Sequence, residues 1–175
     1  SSDLSTMAKA KGTDTLLTLS GIGLRIYIGF SALGVAAIAA GMGVMLVAPP
    51  PDIARQLASA PPFLRPLAVA CGLTICAVLI LGILFALQLG RITGTVKNGD
   101  PFEPANADRL TRMGWLAMSV QVINISQTLM STYLPSSGMD THLSLTALAV
   151  GLVLFILARV FSHGVAMREE LEGTV

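Results

Sequence analysis

The sequence predicts an all-α fold, a four-transmembrane-helix bundle with both termini on the cytoplasmic side, on three observations. The 175 residues are 53% hydrophobic and 12% charged, against roughly 25% charged in soluble domains. Four stretches are apolar over the ~20 residues that a helix needs to cross a hydrocarbon core about 30 Å thick. Lys and Arg are distributed unequally between the connections. A water-soluble domain of this size keeps a large exposed shell that must be mostly polar, so the composition excludes an ordinary globule and makes the lipid bilayer the solvent. Within that solvent every backbone amide and carbonyl must be paired inside its own segment, which selects helices.

The four spans are Ile22–Val47, Leu67–Leu89, Met113–Leu134 and Leu143–Phe161. They leave an outer loop at 48–66, an inner loop at 90–112 and a tail at 162–175, all in one membrane domain, 1–175. Arg25 and Arg159 are charged residues near span ends, where a long side chain reaches the headgroups. The first stretch follows Lys9 and Lys11 and contains Ala37-Ile38-Ala39. It nevertheless continues well beyond the roughly 7–15 residues of a signal-peptide core, so it reads as a retained span.

Orientation follows from the basic residues. Lys9, Lys11 and Arg25 flank the first span, Arg91, Lys97, Arg109 and Arg112 lie in or beside the inner loop, and Arg159 and Arg168 flank the last span. The opposite side has Arg55 and Arg65, and the third connection, Pro135–His142, has neither Lys nor Arg. Both termini and the loop 90–112 are therefore expected in the cytoplasm. In the outer loop, Pro49-Pro50-Pro51 and Pro61-Pro62 bound a short helical turn over Asp52–Ala60, expected on the membrane surface. In the inner loop, Asn98-Gly99 and Asp100-Pro101 signal a turn, and Pro104 with Asn106 can start the helix that leads into the third span.

Helix association in lipid depends on close approach and interhelical hydrogen bonds. Gly34, Ala37 and Gly41 on the first span, and Ala147 and Gly151 on the fourth, are expected to meet other helices. Gln121, Asn124, Thr128 and Ser131 share one face of the third span, and such a face must meet protein or water. It is either a helix-to-helix hydrogen-bonding seam or a polar pathway at the midplane. The lack of an intramembrane carboxylate or a broken helix pair favours the seam.

The chemistry-bearing residues are few. Cys71 and Cys76 lie about 140° apart around one helix and read as small apolar residues, not as a disulfide or a metal pair. His142 and His163 are separated by about 31 Å along a helix, too far for one haem, and read as interfacial residues. No phosphate-binding loop, CxxC, HExxH or nucleophile elbow occurs, and Gly21-Ile22-Gly23 and Gly41-Met42-Gly43 lack the strand a dinucleotide loop requires. Carboxylates cluster in Asp100, Glu103 and Asp108 and in Glu169, Glu170 and Glu172, on the expected cytoplasmic side. The reading is of a non-enzyme without cofactor or metal. The net charge of +1 gives no basic face for direct contact with nucleic acid. The segment Ala166–Glu172 continues the last span as an acidic, amphipathic turn or two. It is either a solvated helix end or a docking surface with Met167 and Leu171, at i and i+4, as anchors.

The segments NGDPFEPANADRL, Asn98–Leu110, and ARVFSHGVAMREELEGTV, Ala158–Val175, resemble a bacterial four-span membrane family of unknown function. That family has an inner loop GDPF...N..RL and an ending F..G..LRE...LTV. Gly99, Asp100, Pro101, Phe102, Asn106, Arg109 and Leu110 match the loop, and Phe161, Gly164, Arg168, Glu169, Thr174 and Val175 match the ending. Met167 stands where leucine is usual and Gly173 where an apolar residue is common. The resemblance implies a protein of the bacterial inner membrane. It also implies a partner: the genes of that family commonly neighbour one for a small helix-turn-helix regulator of the Xre/Cro type.

The leading expectation is thus a regulatory membrane protein that binds or sequesters such a regulator through Asp100, Pro101, Phe102, Asn106, Arg109, Leu110, Met167, Arg168, Glu169, Glu170 and Leu171. The acidic tail would compete with phosphate for the regulator's basic face. Two alternatives stand beside it. One is an accessory or structural subunit of a larger membrane complex, with a homo- or hetero-oligomer expected. The other is a small transporter or ligand binder that uses the polar face of the third span.

Overall fold

Proline and glycine punctuate a chain that is otherwise helical. The computed structural model describes residues 2–59, 62–133 and 145–172, and these form α1 (Ser2–Val47), α2 (Pro51–Ser59), α3 (Leu64–Lys97), α4 (Pro104–Tyr133) and α5 (Leu145–Glu172). No strand occurs among the described residues, so the fold is an all-α helical bundle. The third connection with His142, and the final Gly173, Thr174 and Val175, lie outside the described residues. So do the side chains of Thr128, Ser131 and Ala147.

The short helix expected between the proline clusters is α2, and it opens on Pro51 with Asp52 in its first turn. Proline is suited to a first helical position because its missing N–H is unpaired there in any case, and the acid meets the positive end of the helix dipole. The other helices outrun the apolar spans read from the sequence. At 34 residues, α3 is about 51 Å long at 1.5 Å per residue. Its last turn and the first turn of α4 lie beyond the apolar stretch and carry the inner loop.

Three helices are long and apolar enough to cross a membrane: Thr15–Val47, Pro66–Lys97 and Leu148–Leu171. Their outward side chains are large and apolar, with Ile26, Phe30, Leu33 and Ile156 all more than 60% exposed. That surface suits a bilayer and would be untenable in water. At 30 residues, α4 has the length to cross, but Gln121, Asn124 and Gln127 dilute its apolar content and it is not one of the three. Its position explains how it tolerates Gln121 and Asn124, because α4 is packed on two sides, against α3 and against α5.

The helices pack in chain order, α1 on α3, α3 on α4 and α4 on α5, with the largest interface between α4 and α5. No comparable packing of α1 on α4 or α5 forms among the described residues. The core is accordingly at the α4–α5 seam: Leu110, Met113, Leu154 and Ala158 are buried, with Phe85, Ile92 and Phe161 packed against them. Trp115 and Phe155 meet edge to face at 5.5 Å between ring centres.

The small-residue stripe expected on the first span meets α3 only in part. A Cβ built at Gly34 would lie 3.4 Å from Leu79, but Gly41 has no neighbour within 4 Å and Ala37 is exposed. The glycines that bring α1 and α3 together are on α3. Gly72 receives Met42, Gly82 receives Tyr27, and Gly90 receives Leu24. On α5, Gly151 receives Met118, in keeping with the small-residue reading of that position. Cys71 and Cys76 are free and half-buried.

Candidate functional site

The inner loop is built around a helix end. Gly99 has φ +88°, a left-handed conformation that costs glycine least. The Asp100 amide donates to the Thr95 carbonyl and the Gly99 amide to that of Val96, both at 3.1 Å. These two bonds form a Schellman motif, which satisfies carbonyls left open at the end of α3 and reverses the chain. Pro104 then opens α4, with the Asn106 amide donating to the Glu103 carbonyl at 2.8 Å.

Asn106 fastens the turn from inside. It is fully buried, and its Nδ2 donates to Thr95 Oγ1 at 2.8 Å and to the Pro101 carbonyl at 3.0 Å. Its Oδ1 accepts from Arg109 Nη1 at 2.8 Å. The Thr95 hydroxyl itself donates to the Ile92 carbonyl at 2.8 Å, which leaves its oxygen free to accept from Asn106. Arg109 also lies 3.7 Å from Glu103. One side chain therefore joins the last turn of α3, the loop and the first turn of α4.

The end of α5 closes over this loop. The rings of Phe102 and Phe161 lie 5.5 Å apart, tilted at 35°. Phe102 also fills the space above Gly164, where a Cβ would come within 2.9 Å of the ring. Arg168 Nη1 donates to Asp100 Oδ1 at 2.9 Å. Residues from the two segments singled out in the sequence, up to 68 positions apart in the chain, thus meet in one clasp. Asp100, Phe102, Phe161, Gly164 and Arg168 make the contact, and Gly99, Pro101, Asn106, Arg109 and Leu110 shape the loop that makes it.

This arrangement sorts the expected partner-binding residues. Asn106 and Leu110 are buried in the clasp, and Asp100, Pro101 and Arg109 are half-buried, so their side chains serve the fold. Exposed are Phe102 in the loop and Met167, Arg168, Glu169, Glu170 and Leu171 at the end of α5, with Met167 at 60% and Leu171 at 73%. His163 is exposed nearby on α5. Both partners of the Asp100–Arg168 pair are about half exposed, and such pairs contribute less than about 1 kcal/mol. Arg168→Ala should therefore cost less than about 1 kcal/mol in detergent unfolding, and the swap Asp100→Arg with Arg168→Asp should restore the value.

Of the polar face of α4, Gln121 is turned inward and Asn124 is half-buried. Gln121 is 2% exposed, and Asn124 Nδ2 lies 3.4 Å from Gln121 Oε1. Two contributors were not legible as such in the sequence. Thr95, which supports both the turn and Asn106, carries no signal beyond its place five residues before Asp100. Gln88, whose Oε1 is buried without a hydrogen-bond partner among the described residues, could have been noticed as the long polar side chain inside the second apolar span.

Fold and site together define a helical protein with three membrane-length apolar helices and a structured loop held against the end of its last helix. Residues 52–175 match the family described as "Protein of unknown function (DUF2975)", and the chain belongs to that family. The match covers α3, α4, α5 and the clasp, and it agrees with the resemblance to a family of unknown function. No curated protein and no solved structure matches the chain.

Proposed function

We propose that this chain is a non-enzymatic, four-span regulatory protein of the bacterial inner membrane, whose clasped cytoplasmic face docks a small soluble helix-turn-helix regulator of the Xre/Cro type. The observation that carries the reading is the exposed pair Met167 and Leu171 beside Glu169 and Glu170, on a helix end that the clasp orients. An i, i+4 apolar pair offers anchors for a groove, and the flanking acids complement a basic DNA-binding face. Binding there and binding to DNA would exclude one another, and release would free the regulator. The basic flanks support the orientation. The fourth crossing is supported by the inner loop and α4 lying alongside α5, from Phe102 of the loop at Gly164 to Met118 of α4 at Gly151, so the two helices share a depth.

The test is capture of the purified regulator by the full chain in nanodiscs. Wild type should retain it, and Met167→Glu with Leu171→Glu should weaken binding at least tenfold while thermal stability is unchanged. Equal binding by that variant, or a reporter fused after Val175 that is active in the periplasm, would refute the reading.

A second reading, an accessory subunit of a larger complex, is favoured by the serial packing of the helices. A row has two uncovered flanks where helices of another chain or a second copy could pack. A single protomer mass in native nanodiscs would count against it.

A further inference from the structure

We infer that the gap between α1 and α3 at the Arg91 end of the pair is a binding site for an anionic phospholipid. Along most of their contact the two helices interlock, with Met42, Tyr27 and Leu24 seated over Gly72, Gly82 and Gly90. Beyond Gly90 the interlocking stops. Gly21 and Gly94 have no neighbour within 4 Å, and the helices enclose an open cavity of about 590 Å³ with Leu17 and Leu87 in its wall.

Three cations line the same cavity: Arg25 from α1, and Arg91 and Lys97 from α3. The seating of Leu24 at Gly90 puts Arg25 and Arg91 at one height, and Lys97 lies about 9 Å further along α3 at 1.5 Å per residue. All three are exposed, and none is paired with an acidic side chain among the described residues. Two acids of the inner loop are turned elsewhere, Asp100 to Arg168 and Glu103 to Arg109.

An apolar slot topped by three cations matches one ligand chemistry, a phosphate ester joined to hydrocarbon chains. The guanidinium groups can hold phosphate oxygens in paired hydrogen bonds, Lys97 adds a point charge, and the slot takes part of an acyl chain. Basic pockets between membrane helices recognise anionic headgroups on these terms. A soluble phosphate would use the cations and leave the slot empty.

The experiment is native mass spectrometry of the full chain from nanodiscs of mixed phosphatidylglycerol and phosphatidylcholine. Wild type should retain phosphatidylglycerol at least tenfold in preference. Arg25→Gln with Arg91→Gln and Lys97→Gln should lose that preference, and Arg25→Lys with Arg91→Lys and Lys97→Arg should keep most of it. Arg55→Gln with Arg112→Gln and Arg159→Gln removes the same charge elsewhere and should change nothing. If this variant loses the preference equally, the attraction is diffuse and the site is refuted. Inorganic phosphate in excess should fail to displace the lipid, and displacement would overturn the lipid assignment in favour of a soluble phosphate. Should the glutamine variant misinsert, Gly94→Leu fills the slot with every charge intact. It is expected to reduce retention severalfold, and undiminished retention would refute the site.

Discussion

Replacement of Asn106 by alanine should destabilise the protein by about 2–4 kcal/mol, among the largest effects expected of a single polar side chain. The magnitude follows from what is stranded. Asn106 is fully buried and makes three hydrogen bonds, so its removal leaves the Pro101 carbonyl, the Thr95 hydroxyl oxygen and one guanidinium donor short of a partner. An unsatisfied buried group costs about 1–3 kcal/mol, and relaxation of the loop around the three holds the sum below full additivity. The midpoint of thermal unfolding in detergent should fall by roughly 5–15 °C. Asn106→Asp discriminates between size and donor chemistry: it preserves volume and the acceptor for Arg109 but loses both amide donations, and it should resemble alanine. A loss under about 0.5 kcal/mol for Asn106→Ala, the range of an ordinary surface change, would show that the clasp does not depend on this side chain.

Gly114→Val is the second large effect, and it acts through volume. A Cβ at Gly114 would lie 2.9 Å from two atoms of the Phe155 ring and 3.1 Å from a third. A swing of the ring would break its edge-to-face contact with Trp115. Valine then either forces α4 from α5 or drives Phe155 off its rotamer, at about 1–3 kcal/mol. Phe155→Leu in the same chain should recover part of that loss, and such coupling between neighbours is what a double-mutant cycle detects. A strictly additive cycle would mean that the seam tolerates the extra methyl groups by other routes.

Much of the fold was legible because lipid narrows the alternatives. Apolar runs of bilayer length can only be helices, and Pro51, Pro104 and Asn98-Gly99 mark boundaries that the structure reproduces. The packing faces were not legible. A helix that is apolar all round offers no periodic stripe to say which side meets protein. Glycines invite close approach only where a partner has a side chain to offer, so Gly34 packs while Gly41 stays open. For the site, the two segments were visible as segments, but their meeting was not. Whether Arg168 would find Asp100 depends on where α5 ends relative to the loop, a register that the residues at either position do not encode.

Thr95 serves two structures with one residue. Its carbonyl accepts from Asp100 to complete the turn, and its hydroxyl accepts from Asn106. Fraying of the last turn of α3 would therefore dismantle the loop at the same moment, and amide hydrogens at Gly99, Asp100 and Asn106 should exchange with solvent at one common rate. The tail rests on that loop through Asp100 and Phe102, so the same fraying would withdraw its support.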